Sequence, residues 1–329
     1  SETTPFGDGL RLWGTEANPN NTSVIDNDIY ANRRGITTFW NFDNVYDGNS
    51  IWIVNPREDQ SFYSGIYLVL TSGETVIQNN EFKALSVNTN TEASYAAGIA
   101  FNATLGPHKV FNNTFAVPQF DNAGTTTGNR AYGIVLNNAA GNSDNMIYHN
   151  TFRMSSSSDT GVMAAVGIEV VESTAQTWSF QNNLYTVEQD ANNAYAYYWP
   201  ISETFESDYN NFDIAASAAV AQFGTGRFDT LTDWNEQNVD QNSTDVAVEY
   251  VSATDLRLTG ASIGDDNLAG IPLTEVTTDI DGTTRSELAP YKGAFEGDVE
   301  LTGSVEVGAF ALLTPEDGTQ LELMSGDPD

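Results

Sequence analysis

The sequence predicts an all-β protein, a right-handed parallel β-helix of about seven or more coils followed by a short C-terminal β tail. The first observation is a recurring asparagine with an aromatic or apolar residue two positions later, as in VFNNTF and IYHNTF. The second is a short apolar run, opened by glycine or alanine, about fifteen residues before each asparagine. Both series advance together by 22 to 37 residues over seven copies, and a period of this size indicates a solenoid.

The repeats are strand-like rather than helical. Each copy is short, alternating and rich in β-branched and aromatic residues, which is typical of strands. No copy holds a capped run of ten or more residues with a period of 3.6, which a helical repeat would need. Parallel strands stacked coil on coil therefore explain the pattern best.

The recurring asparagines are expected to form a ladder at one bend of the coils. Equivalent residues of stacked coils lie about 4.8 Å apart, so their amides can bond to one another and to the turn backbone. Since every member repeats one packing role, we interpret the ladder as structural rather than catalytic. Its predicted members are Asn27, Asn49, Asn80, Asn113, Asn150, Asn183 and Asn210. The residues expected to stack inside, two positions on, are Ile29, Ile51, Phe82, Phe115, Phe152, Tyr185 and Phe212.

The repeat also divides the chain. Residues 1–64 hold two fainter coils and a cap, and residues 65–255 form the central coils. Residues 256–296 are predicted to be a closing region, and residues 297–329 a C-terminal strand tail or the start of a further module. A solenoid grows without adding domains, so 329 residues remain compatible with one continuous core.

Charge excludes several partners. Forty-five acidic residues against twelve basic ones give a net charge of −33, and there is no cysteine. Such a surface repels nucleic acid, anionic lipid and polyuronates. Self-repulsion of this size favours a saline habitat, where salt screens it, over a merely soluble acidic surface. No stretch of 18 apolar residues occurs, so no membrane insertion is expected.

The late motifs resemble a known family. LRLTGASIG, DIDGTTR and GAFE, within residues 228–296, are similar to the closing region of bacterial secreted right-handed parallel β-helix proteins of the pectate-lyase-like superfamily. The resemblance implies the fold and a secreted or cell-surface location, and it implies little about activity. The tail sequence VGAFALLTPEDGTQLEL is similar to the opening strand of an immunoglobulin- or fibronectin-like module.

The coils are the place where catalytic residues are expected in this fold, because β-helix enzymes cleave polysaccharides with paired carboxylates or with a basic residue and Ca²⁺. The motifs N-T-D, D-D, G-H-G and R-I-K of polygalacturonases are missing from the coils. Lys83 and Arg153 share a column but lie two coils apart, roughly 10 Å. His149 replaces an asparagine next to the ladder and is expected to be a hydrogen-bonded turn residue. The outward column three after each ladder asparagine is Tyr30, Trp52, Lys83, Ala116, Arg153, Thr186 and Asp213.

Calcium is a possible cofactor, and no other is expected. Asp265, Asp266, Asp279 and Asp281 are hard oxygen ligands in turn-like sequence. DIDG is similar to the start of a calcium loop, but Pro290 stands where the last glutamate would be. The structural alternative, favoured here, is that these aspartates cap their own turns and that Arg285 bonds the acids of its turn.

We therefore expect a non-catalytic extracellular structural or surface protein that self-associates through its termini, and that contacts a surface polysaccharide as a further partner. The alternative is a carbohydrate-binding or carbohydrate-cleaving β-helix. Strand-like sequence in the tail suggests end-to-end assembly, in which the tail adds to a neighbour's sheet edge. The tail residues expected to take part are Val305, Val307, Phe310, Leu321 and Leu323.

Overall fold

A computed structural model confirms the parallel β-helix solenoid. It describes residues 7–17, 20–54, 62–87, 95–120, 130–137, 144–155, 161–170, 177–189, 191–201 and 205–297. In this part of the chain the strands form three sheets, and apart from one terminal hairpin every pairing between them is parallel. The right-handed sense of the coil stays a prediction.

Within the described residues, seven coils of three strands follow one another. The first three coils hold β1 (Asp8–Trp13), β2 (Asn20–Ile25), β3 (Asp28–Ala31), β4 (Arg34–Phe39), β5 (Asn41–Asp47), β6 (Ser50–Ile53), β7 (Phe62–Val69), β8 (Ser72–Gln78) and β9 (Glu81–Val87). The next two hold β10 (Tyr95–Asn102), β11 (His108–Phe111), β12 (Thr114–Phe120), β13 (Arg130–Asn137), β14 (Asp144–Tyr148) and β15 (Thr151–Met154). The last two hold β16 (Val162–Val170), β17 (Thr177–Gln181), β18 (Leu184–Val187), β19 (Ala194–Trp199), β20 (Glu206–Asp208) and β21 (Asn211–Ile214).

Equivalent strands of successive coils build each sheet. The first sheet runs β1-β4-β7-β10-β13-β16-β19 and continues into the terminal hairpin. The second begins at β2 and ends at β20, and the third begins at β3 and ends at β21. Most registers are regular, for example Ile66↔Ile99 and Phe82↔Phe115, and four of the described strand pairs contain a register shift. Hence the period seen in the sequence is one turn of the solenoid.

The two sequence markers meet in the core. A Cβ built on Gly98 would lie 2.4 Å from Cδ1 of Phe115, and one on Gly65 or Gly133 would meet Phe82 or Phe152 in the same way. These three glycines therefore make room for the aromatic ring that follows the asparagine. The rings of Phe115 and Phe152 stack with centroids 4.5 Å apart and planes 3° from parallel. The stack continues in both directions through Phe82, Tyr185 and Phe212.

The C-terminal end of the core is closed. After β22 (Ala219–Phe223) and the antiparallel β23 (Gly226–Phe228), the helix α1 (Leu231–Asn235) places Trp234, 1% exposed, over the last coil. Thr230 caps this helix by accepting a hydrogen bond from the backbone N–H of Asp233. Residues 240–248 then bond to β20 and β21: Asp240 N donates to Ser207 O at 2.7 Å, and Phe212 N donates to Thr244 O at 2.8 Å.

Residues 249–297, the closing segment, return along the outside of the coils. Val276 packs with Phe111 and Tyr148, and Phe295 lies in a buried cluster with Ala116. Its short antiparallel bridges include Tyr250↔Leu258 and Ala269↔Tyr291. The segment therefore begins before the predicted boundary at residue 256, and the tail from residue 298 lies outside the described residues.

Candidate functional site

The seven predicted asparagines form one continuous hydrogen-bonded series. In Asn80, both the backbone N–H and Nδ2 donate to Oδ1 of Asn113, at 3.0 and 2.9 Å, and Nδ2 also donates to the carbonyl oxygens of Tyr46 and Gln78. The same donor pair joins each asparagine to the next from Asn27 to Asn210. Every member after Asn27 is buried, so these amides are used inside the fold.

The series continues past the predicted last member. Asn210 donates from Nδ2 to Oδ1 of Asp240 at 2.9 Å and from its backbone N–H to Oγ of Ser243 at 2.8 Å. Trp234 Nε1 donates to the other Asp240 oxygen at 2.8 Å. Burial raises the pKa of Asp240. Sequence reasoning missed this end, although Asp240 lies 30 residues after Asn210, within the spacing of the repeat.

The residue just before each ladder asparagine forms a second column. These residues take the left-handed backbone conformation, with φ of 54° at Asn112, 54° at His149 and 56° at Asn182. Asparagine and aspartate tolerate this region well. The remaining members are Asp26, Gly48, Asn79 and Tyr209. The pairs of adjacent asparagines in the sequence are the feature that could have predicted this second column.

The closing segment binds this second column. Asn112 Nδ2 donates to the carbonyl oxygen of Thr278 at 2.8 Å, and Asn182 Nδ2 donates to that of Ile271 at 2.7 Å. His149 Nδ1 lies 3.1 Å from the carbonyl oxygen of Tyr291, while its Nε2 lies 2.9 Å from Asn182 Nδ2. A neutral ring with Nδ1 protonated satisfies both contacts. Burial, and then the nearby charge of Arg285, lower the pKa of His149 well below its usual value.

Arg285 joins the two late motifs to each other and to the coils. Its Nη1 donates to Glu296 Oε2 at 3.2 Å, and its Nη2 donates to Asn112 Oδ1 at 2.7 Å. Asp279 accepts instead from three backbone N–H groups, those of Asp281, Thr283 and Glu296. The expectation that Arg285 bonds the acids of its own turn is therefore wrong, because its carboxylate partner comes from GAFE. Burial lowers the pKa of Arg285 to about 10, with Glu296 opposing that shift.

The structure places the four calcium candidates in separate local contacts. Asp265 accepts from the backbone and side-chain amides of Asn267, and Asp281 pairs with Arg257 at 2.9 Å. Asp266 begins a short 3₁₀ turn, and Asp279, 3% exposed, bonds the backbone as above. In the part of the chain that the structure describes, no three histidine or carboxylate side chains are grouped to hold a metal ion.

The outward column of the third sheet divides into an open and a covered half. Near the first coils, the Tyr30 and Trp52 rings stack 4.4 Å apart and 6° from parallel, and Lys83 Nζ lies 5.3 Å from the Trp52 ring centroid. Tyr30 is 61% exposed. From Ala116 onward the closing segment covers the column, with Phe295 in the buried cluster around Ala116.

Charged groups on the covered half tie down the closing segment. Arg153 pairs with Glu188 at 2.7 Å and donates to the carbonyl oxygen of Ser252 at 2.9 Å. Asp213 accepts from the backbone N–H of Val248 at 3.0 Å, and desolvation, followed by the charge of Glu188, raises its pKa. Lys83, the other basic residue of this column, pairs with Glu81. Both cations of the column therefore already have carboxylate partners.

Comparison with known proteins does not extend this description. No protein-family model matches the sequence, and no curated protein shows significant similarity to it. Within the described residues no helix is long and apolar enough to cross a membrane. The class that the fold defines is a parallel β-helix solenoid.

Proposed function

We propose that this chain is a non-catalytic extracellular structural or surface protein, secreted by a bacterium of a saline environment, that self-associates end to end. The observation that carries the proposal is the unbroken ladder from Asn27 to Asp240, which ties each coil to the next by side-chain and backbone hydrogen bonds. In a solenoid of this kind, contacts between neighbouring coils supply the stability.

The groups best suited to chemistry support a structural role. His108 and His149, the two histidines of the sequence, are both buried, and burial lowers the pKa of His108 to about 3. Arg285 and Lys292 are buried as well. A general acid or base must reach a substrate and titrate near the working pH. All four side chains are buried, and Lys292, whose pKa burial lowers to about 8, donates from Nζ to Thr244 and Asn267 within the fold.

The first coil supplies an edge for assembly. Among the described strands, β1, β2 and β3 stand at the ends of their sheets, and an unpaired edge can accept a strand from another chain. Trp13 stacks on Phe39 at 4.5 Å yet is 62% exposed. Because α1 closes the opposite end, we propose that a tail strand of a neighbour adds to this edge. Val305, Val307, Phe310, Leu321 and Leu323 of that tail lie outside the described residues. Head-to-tail contact of this kind gives filaments.

The test is electron microscopy of the intact chain and of a deletion of residues 298–329 at high protein concentration and high salt. Filaments are expected in the first and should be lost in the second. A matched variant, Trp13→Lys, alters the accepting edge and should also abolish filaments, whereas Leu288→Lys, at an 89% exposed site on the closing segment, should not. Filaments that persist without the tail, or a strictly monomeric intact protein, would overturn the assembly proposal.

The second candidate function is a carbohydrate-binding or carbohydrate-cleaving β-helix. The stacked Tyr30–Trp52 pair with Lys83 favours the binding form, because exposed aromatic rings present apolar surface beside polar groups. Binding of a neutral polysaccharide should then weaken in Trp52→Ala and persist in Leu288→Ala. Equal binding by both variants would exclude this surface.

A further inference from the structure

A cleft opens at the bend between the first and second sheets. It encloses about 240 Å³ and is built by residues that follow β1, β4, β7 and β10. Its lining residues are Thr15, Glu16, Trp40, Leu70, Thr71, Ser72, Ala103 and Leu105.

The apolar wall of the cleft is held in an unusual backbone conformation. Trp40, Leu70 and Ala103 have φ of 55°, 53° and 51°, and Leu70 and Leu105 are 37% and 48% exposed. Bulky apolar residues seldom take the left-handed region, and backbone strain that a fold retains is concentrated at binding sites. Here three successive coils repeat it.

The floor of the cleft holds unused hydrogen-bonding capacity. Thr71 is 1% exposed, and its Oγ1 is buried without a hydrogen-bond partner in the described part of the chain. Asn41, which follows Trp40 as Thr71 follows Leu70, has a buried Oδ1 in the same condition. Buried polar atoms are normally paired. A polar group of a ligand that reaches Oγ1 of Thr71 therefore forms a hydrogen bond without breaking one inside the protein.

The charge at the cleft has one sign. Among the described residues that line the cleft, Glu16 is the only charged one, and it is exposed. The whole chain carries a net charge of −33. The field therefore attracts cations. An indole ring adds to this, since tryptophan is the aromatic side chain that attracts cations most strongly.

We propose that this cleft binds a small organic ammonium ion that carries a hydroxyl group, an amino alcohol. Its alkyl groups pack on Leu70, Leu105 and Trp40, and its positive charge lies beside Glu16. Rotation about χ1 of Thr71 turns the hydroxyl toward the ligand, which supplies the missing partner. This inference is independent of the proposed structural function.

Choline and its uncharged isostere 3,3-dimethylbutan-1-ol test the proposal by isothermal titration calorimetry with the intact chain. Choline should bind about two- to five-fold more tightly than the isostere at low salt, a ratio of the size that one exposed charge contact gives. Glu16→Gln should remove that difference. The control Glu287→Gln changes an exposed glutamate on the closing segment and should leave it intact.

Thr71→Val tests whether the hydroxyl group of Thr71 contacts the ligand. The variant should fold with an unchanged or higher melting temperature, because it removes an unpaired buried hydroxyl, and it should weaken both ligands. Equal affinity for choline and the isostere would overturn the proposal, as would an equal loss in Glu287→Gln, which would indicate diffuse attraction. Undetectable binding, or affinities unchanged by Thr71→Val, would overturn it as well.

Discussion

The coils and the closing segment reach stability by opposite means. The coils repeat one contact, the asparagine pair of the ladder, so that Asn80, Asn113 and Asn150 make nearly the same bonds. The closing segment makes each contact once. Arg285 meets Glu296 and Asn112, and Asp279 meets the backbone of Glu296. Repetition spreads the free energy of unfolding over many similar bonds, whereas a unique contact concentrates it on a few groups.

The largest effect is therefore expected at Arg285. Replacing it with methionine leaves Glu296 in a mostly buried site without its cation, and breaking a buried ion pair costs about 3–5 kcal/mol. Limited proteolysis should show cleavage within residues 249–297 before the coils open. The measurement is urea denaturation together with mapping of the first cleavage sites.

The matched control is Arg257→Met, whose pair with Asp281 is exposed, with side chains 45% and 47% accessible. Exposed pairs contribute about 0–1 kcal/mol, so this variant should resemble the parent protein. Equal destabilisation by the two substitutions would contradict the idea that burial makes Arg285 special.

Acid should loosen both regions through the histidines. The pKa values of His108 and His149 are lowered in the folded protein, to about 3 for His108, while the unfolded chain takes up these protons near pH 6.5. Stability is thus fully present above pH 6.5 and falls below it, by about 1.4 kcal/mol per pH unit for each histidine. Between pH 6.5 and 5 this amounts to about 2 kcal/mol for each.

His149→Asn separates the two contributions, because asparagine occupies the equivalent position in the neighbouring coils, at Asn112 and Asn182. The variant should lose about half of the acid dependence and keep the share of His108. Denaturant midpoints measured at half-unit pH steps would show this. An unchanged pH profile would mean that the folded protein protonates His149 as readily as the unfolded chain does.

Within the ladder, position should decide the effect. Asn113→Ala leaves buried backbone groups of coils three and four unpaired, at a cost of roughly 1–3 kcal/mol. Asn150→Ala should behave alike, and Asn27→Ala, at the exposed first position, should cost less than either. Chemical denaturation compares the three variants. Unchanged stability in Asn113→Ala with loss of a binding activity would instead make the ladder a site.

The sequence predicts the repeated contacts of the coils but not the single contacts of the closing segment. Repetition made the ladder, the ring stack and the fold class visible, since a signal in seven copies stands out from the background. The partner of Arg285 was missed because Glu296 and Asn112 are 11 and 173 residues away, and a contact made once has no period. Asp240 was missed because it replaces an asparagine by a different residue type. The cleft beside Trp40 gave no motif at all, because backbone conformation and an unpaired hydroxyl are properties of the fold.

The smallest effect per contact is expected from salt, which should stabilise the coils and leave the closing segment unchanged or slightly less stable. The net charge of −33, with only three lysines, makes carboxylate repulsion a general cost that screening relieves. Global melting temperature should therefore rise from low to molar NaCl. The closing segment, by contrast, is held in part by charged groups. Arg257 and Asp281 form an ion pair within it, and Arg153, paired with Glu188 on the coils, donates to the carbonyl oxygen of Ser252. Salt weakens exposed pairs worth under about 1 kcal/mol. Hydrogen exchange should then show local opening of residues 249–297 unchanged or slightly easier in salt, while exchange from the coil core slows.

Equal melting temperatures at both salt concentrations would remove the argument for a saline habitat. If salt protected both regions from exchange to the same extent, the ion pairs of the closing segment would contribute nothing of their own to its stability.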